Sequence, residues 1–102
     1  MMLEKLDILS LGNGLAVDRD HALTDNASGA VVLIRLAPRK SPFPEEKHHT
    51  RENIVCLEGR LALLAGVERV EISAGQCCRV PAGLAHRWAS DSAGLVLVHF
   101  GN

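Results

Sequence analysis

The sequence predicts an all-β domain, a small antiparallel sandwich or barrel, and three observations carry that prediction. Nine glycines punctuate the chain at short intervals, with short apolar runs between them. No segment shows sustained helical periodicity with caps. The chain is 47% hydrophobic yet holds only two Phe, one Trp and no Tyr, so Val, Leu, Ile and Ala must fill the core. That mixture suits strands, where branched side chains pack well on a pleated surface.

Each element follows from local signals. Met2 to Leu9 reads as one helical turn or an edge strand. Ala30 to Leu36 is almost wholly apolar, the mark of a strand buried on most of its surface. It stops at Pro38, and the stretch from Pro38 to Pro44 holds three prolines and resists regular structure. Glu52 to Leu57 reads as a strand, Glu58-Gly59 as a tight turn, and Arg60 to Ala65 as the returning strand. Val67 to Ile72 alternates weakly and makes a further hairpin arm. Ser73-Ala74-Gly75 turns the chain, Cys77 to Val80 is short and extended, and Pro81-Ala82-Gly83 turns it again. His86 to Ala89 and Leu95 to Phe100 complete the set, with Ser90 to Gly94 as their loop.

A chain of 102 residues is expected to form one domain, residues 1–102. Its formal net charge is −1 and it has no basic stripe, so nucleic-acid binding has no electrostatic footprint. No apolar run approaches the ~18 residues of a spanning helix, so no membrane role is expected. The N-terminal segment lacks the apolar core of a signal peptide. The three cysteines, Cys56, Cys77 and Cys78, are odd in number and two are adjacent, so no disulfide framework follows. The expectation is a cytoplasmic, reducing setting.

The chemistry-bearing residues lie in two stretches, 46–52 and 75–86. Alternation along a strand points Glu46 and His48 together, with Lys47 and His49 opposite. Glu52 opens the next strand and can face the same space, with Ile54 and Cys56 following it inward. His86 and Trp88 share a face on a later strand. If the sheet curls, Glu46, His48, Glu52 and His86 converge. Two imidazoles with carboxylates suit a borderline or hard divalent ion, Mn, Fe, Ni, Co or Zn, and leave coordination positions open.

These stretches resemble the two motifs of the small single-domain cupins (the RmlC-like jelly-roll kind). The first motif runs Gly, five residues, His-x-His, three or four residues, Glu, six residues, Gly. His48, Glu52 and Gly59 match it, whereas Lys40 stands for the Gly and Glu46 for the first His. The second runs Gly, five residues, Pro-x-Gly, two residues, His, three residues, Asn. Gly75, Pro81, Gly83 and His86 match it, with Ser90 in place of the Asn. The resemblance covers a barrel of about residues 30–100. It implies a double-stranded β-helix, a jelly-roll barrel of antiparallel strands, often a homodimer. It also implies a metal held at the positions of Glu46, His48, Glu52 and His86.

Glu46 has three readings: a fourth ligand, a general base beside the site, or an exposed charge near Arg39 or Lys47. The ligand reading is favoured because Glu46 occupies the position of one. His49 reads as a surface histidine. Ile54, Cys56 and Trp88 are expected to line a small apolar pocket, with Trp88 able to stack on a planar ligand. Three functions then compete. One is a metal-dependent enzyme acting on a small molecule, a dioxygenase, isomerase, decarboxylase or lyase as the resemblance implies. Another is a non-catalytic module that binds or senses a small ligand. The third is a metal-free barrel with a degenerate site.

Overall fold

The computed structural model describes residues 2–27 and 29–101. It contains one short helix, α1 (Ile8–Asn13), and seven strands. The strands are β1 (Asp20–Asn26), β2 (Gly29–Leu36), β3 (Glu52–Ala65), β4 (Glu68–Ser73), β5 (Cys77–Val80), β6 (Arg87–Trp88) and β7 (Ala93–Gly101). All strand pairings are antiparallel, in the order β1-β2-β7-β3-β4, with β5 and β6 also on β3. Among the described residues no helix is long and apolar enough to cross a membrane.

The spine of the fold is β3, and here the structure corrects the sequence reading. Glu58-Gly59 does not reverse the chain; β3 runs 14 residues through it. A bulge between Cys56 and Glu58 shifts the register against β7 and kinks the strand. Gly59 takes φ +82, and a Cβ there would lie 2.1 Å from the Ala93 carbonyl oxygen. The glycine therefore serves a close backbone approach to Gly94, its register partner on β7. Before the bulge, residues 52–55 of β3 pair with β5. Beyond it, residues 60–65 pair with β4, and Leu63 and Leu64 pair with β6. One strand thus changes neighbours at a bend, as a sheet must to close on itself.

Alternation fills the interior. Val32, Ile34 and Leu36 of β2, Ile54 and Cys56 of β3, and Val96 and Val98 of β7 point into one buried cluster. Phe43, from the proline-rich segment, joins them at 5% exposure. At about 25 cal/mol per Å² of apolar surface removed from water, side chains of this size contribute about 1.5–3 kcal/mol each. Cys78 packs against this cluster while Cys77 faces out, and all three cysteines are free thiols.

Strand β1 escaped the sequence reading, and the helical turn or edge strand read over Met2 to Leu9 is a helix placed later, at Ile8–Asn13. Helix α1 is capped by Asp7, whose Oδ1 accepts from Ser10 N at 3.1 Å. Its buried Gly12 lets it lie directly against Leu95. Strand β1 is polar and mostly exposed because it forms the edge of the sheet, so it carries no apolar alternation.

Candidate metal centre

The two histidine-bearing segments are hydrogen-bonded to each other. Glu46 N donates to His86 O at 2.7 Å, and His86 N donates to Glu46 O at 2.9 Å. This isolated antiparallel bridge sets Glu46 beside His86. Gly83 N donates to His48 O at 2.8 Å, so the Pro81–Gly83 turn fixes the backbone of the first segment as well. Glu52, the first residue of β3, sits in register between Val80 of β5 and Phe100 of β7. Four chain segments therefore meet at one end of the barrel.

Glu52 is 2% exposed and uses both oxygens. Its Oε1 lies 2.9 Å from His48 Nε2, and its Oε2 lies 2.9 Å from His86 Nε2. Glu46 Oε2 lies 3.6 Å from His48 Nε2. One ligand atom each from Glu46, His48 and His86 falls within 4.8 Å of the others. The imidazole rings of His48 and His86 are tilted at 50°, with centroids 5.6 Å apart. The His48 ring also packs edge-on against Phe100 at 5.1 Å, which holds its orientation.

The protonation states have a direction. His86 Nδ1 is 2.8 Å from the Leu84 carbonyl oxygen. A carbonyl only accepts, so Nδ1 is the donor there, which leaves Nε2 to face Glu52 Oε2. Burial pushes the Glu52 carboxyl above the ordinary carboxylate range, with neighbouring Glu46 adding to the shift and the two histidines opposing it. His48 Nε2 is buried and has no hydrogen bond of acceptable geometry, although Glu52 stands 2.9 Å away. A shielded nitrogen set 2.9 Å from a carboxylate at a poor hydrogen-bond angle fits a set of donors converging on one point. The donors of Glu46, His48 and His86 lie close enough together to hold a divalent ion, with the Glu52 carboxylate against both imidazoles.

A cavity of about 190 Å³ opens beside these groups. Its polar lining comes from Asp18, Asp20, Arg39, Glu46 and His48. Ile34, Leu36, Phe43, Trp88 and Phe100 supply apolar walls. Trp88 thus borders the cavity together with His48. Ile54 and Cys56 are not among its lining residues; at 1% and 0% exposure they are packed in the core. Alternation does turn them inward with Glu52, but the barrel interior at their level is filled by side chains. Cys56 instead donates through Sγ to the Glu58 carbonyl oxygen at 3.3 Å, next to the bulge. His49 is exposed.

Asp18, Asp20 and Arg39 were not singled out from the sequence as cavity residues. Asp20 arrives on β1, the strand with no apolar signal. Asp18 is the one non-glycine residue with positive φ among the described residues, at 60°. Arg39 lies in the proline-rich segment, where no periodicity assigns a face.

The cupin-domain family model matches residues 32–100. The chain belongs to the cupin family. That span contains both motif segments, strands β3 to β6 and most of β2 and β7. No functionally curated protein matches the chain. Solved structures share the fold at low identity. A candidate mannose-6-phosphate isomerase from Ralstonia eutropha is 14% identical, with a TM-score of 0.79 over 98% of this chain and 99% of that one. A protein of unknown function from Rhizobium leguminosarum is 22% identical, with a TM-score of 0.76 over 99% and 98%. A hydroquinone 1,2-dioxygenase, solved with Cd²⁺ and 4-hydroxybenzonitrile, is 16% identical, with a TM-score of 0.74 over 94% of this chain and 71% of that one. At these identities the likeness establishes the jelly-roll fold of this cupin and not its chemistry.

Proposed function

We propose that this cupin holds one divalent metal ion between Glu46, His48, Glu52 and His86, and acts on a small organic molecule in the adjoining cavity. The observation that carries the reading is the buried, hydrogen-bond-free Nε2 of His48, set 2.9 Å from a carboxylate that also reaches His86. Without an ion, that nitrogen has only its contacts with Glu52 at 2.9 Å and Glu46 at 3.6 Å, neither at a hydrogen-bond angle. A metal would engage the lone pairs of both rings. Two carboxylates offset a divalent charge, which favours the harder end of the series, Mn²⁺ or Fe²⁺, over thiophilic ions.

The metal would supply an open position able to polarise a substrate oxygen or bind O₂. The protein supplies the rest. The Leu84 carbonyl fixes the tautomer of His86, and Phe100 holds the plane of His48. Trp88, Phe43 and Phe100 keep part of the cavity wall apolar and limit water beside the centre. Glu46, whose side chain is 48% exposed, is the one carboxylate of the cluster in contact with solvent. It is suited to pass a proton between the cavity and bulk water. An isomerase, a lyase and a dioxygenase are all served by these parts.

Elemental analysis of the purified protein after expression in metal-replete medium tests the reading. Near-stoichiometric divalent metal is expected, lost in His48→Ala and in His86→Ala. Metal-free wild-type protein would instead support a barrel with a degenerate site. Glu46→Ala separates a ligand from a neighbour, since unchanged metal content removes Glu46 from the ligand set. Glu46→His should raise metal affinity if that position faces the ion.

A further inference from the structure

Arg39 is the one cationic side chain lining the cavity beside the histidines, and its surroundings have the form of a recognition site. Its backbone is anchored, with Arg39 N donating to Ser90 O at 2.9 Å. Its guanidinium carbon lies over the Phe43 ring, 4.6 Å from the centroid. Phe43 is 5% exposed and locked in the core, so it is a rigid platform for a planar cation. The Arg39 Nη2 group donates to Ser41 Oγ at 3.2 Å. Asp18 Oδ2 stands 4.0 Å from Nη1, too far for a hydrogen bond. Most of the five guanidinium donors are therefore uncommitted, while the plane of the fork is held from below.

We propose that Arg39 is the ligand-recognition residue of this cavity, and that the protein takes a small monocarboxylic acid whose carboxylate sits on the Arg39 guanidinium. This deepens the function proposed above and rests on it for one point only, that this cavity is the ligand site. In metal-free protein, charge favours one carboxylate over two. Asp18, Asp20 and Glu46 share the lining with Arg39. A first carboxylate finds the guanidinium fork, which matches it bidentately. A second finds only like charges. Size sets the other limit, because about 190 Å³ is the room of about six water molecules. The walls of Ile34, Leu36 and Trp88 call for a compact apolar body. Asp18 stands beside the fork without bonding it: its positive φ and the bond from its N to Arg35 O at 2.7 Å hold its carboxylate there as a competing charge.

Trp88 is the chain's only tryptophan and borders the cavity, so its fluorescence reports binding without requiring turnover. The experiment titrates isobutyrate, isobutyramide and succinate into the full chain, both metal-loaded and chelator-stripped. Isobutyrate is expected to bind saturably, and the amide about tenfold or more weaker, the weight of a lost charge-assisted hydrogen bond; in stripped protein succinate should also bind more weakly, because its second carboxylate meets Asp18, Asp20 and Glu46. Arg39→Met keeps the stem on Phe43 and removes the fork; it should weaken isobutyrate by a similar factor with metal content unchanged. Arg39→Lys keeps the charge without the fork and serves if the Met variant does not fold; it too should bind more weakly. Asp18→Asn should tighten isobutyrate, because a competing charge is gone. Equal binding of acid and amide, undiminished affinity in both Arg39 variants, or no response of Trp88 to isobutyrate would each overturn the proposal. Failure of the metal reading shows separately, as protein that never holds metal, and leaves the comparison in stripped protein intact.

Discussion

At the scale of single residues, Glu52 is the most constrained group in the molecule. It is a buried carboxylate spanning two imidazoles, and burial raises its proton affinity in the folded chain. The direction of the linkage follows. In metal-free protein the folded state holds this proton more tightly than the unfolded one, so Glu52's contribution to stability is greatest at low pH. It declines as pH rises through the window from the ordinary carboxylate value up to the raised folded one. Urea unfolding of chelator-treated protein should therefore show wild type losing ground to Glu52→Gln across that window. A wild-type advantage that grows with pH would contradict this. The same proton competes with a metal, so metal affinity should rise with pH over the same range.

Among the elements, the bulge in β3 decides the geometry of the site, because it lets one strand carry Glu52 at one end and the β4 and β6 contacts at the other. Two glycines test this. At Gly59, a Cβ would meet the Ala93 carbonyl at 2.1 Å in addition to a φ of +82. At Gly75, φ is +88 but nothing lies within 4 Å. Gly75→Ala should cost only the backbone term, about 1–2 kcal/mol, whereas Gly59→Ala should cost clearly more because two paired strands must part. Denaturant midpoints of the two variants give the comparison, and equal costs would remove the close approach as the reason for Gly59. The strand periods of β2, β5 and β7 were legible in the sequence, since their apolar residues alternate or run continuously into a buried cluster. The continuity of β3 was not: Glu58-Gly59 has the composition of a turn, and only the pairing of β7 alongside keeps the chain extended there. Strand β1 was illegible for a related reason, as an exposed edge needs no apolar residues.

Taken as a whole, the molecule gathers its chemistry at one end of a cupin barrel, where segments distant in sequence close on one another. A bound ion would tie the 46–52 segment to the 83–86 turn and should stabilise the fold. At a free metal concentration of 100 times Kd the gain is about 2.7 kcal/mol. For a domain of this size each kcal/mol raises Tm by about 4–8 °C. Thermal melts with and without Mn²⁺ should differ by about 10 °C or more on that basis. The shift should vanish in His86→Ala, and an unshifted wild type would argue against the centre.

The sequence by itself determined the β class, the inward face shared by Glu52, Ile54 and Cys56, and the motif spacing that marks His48, Glu52 and His86. Those are local properties, set by the two-residue period of a strand and by glycine and proline at turns. Tertiary structure decided which faces meet. It paired Glu46 with His86 through two backbone hydrogen bonds, closed the core over Ile54 and Cys56, and brought Asp20 and Arg39 to the wall beside His48. The physical reason is that a period states where a side chain points, whereas the groups across from it are fixed by long-range pairing and packing.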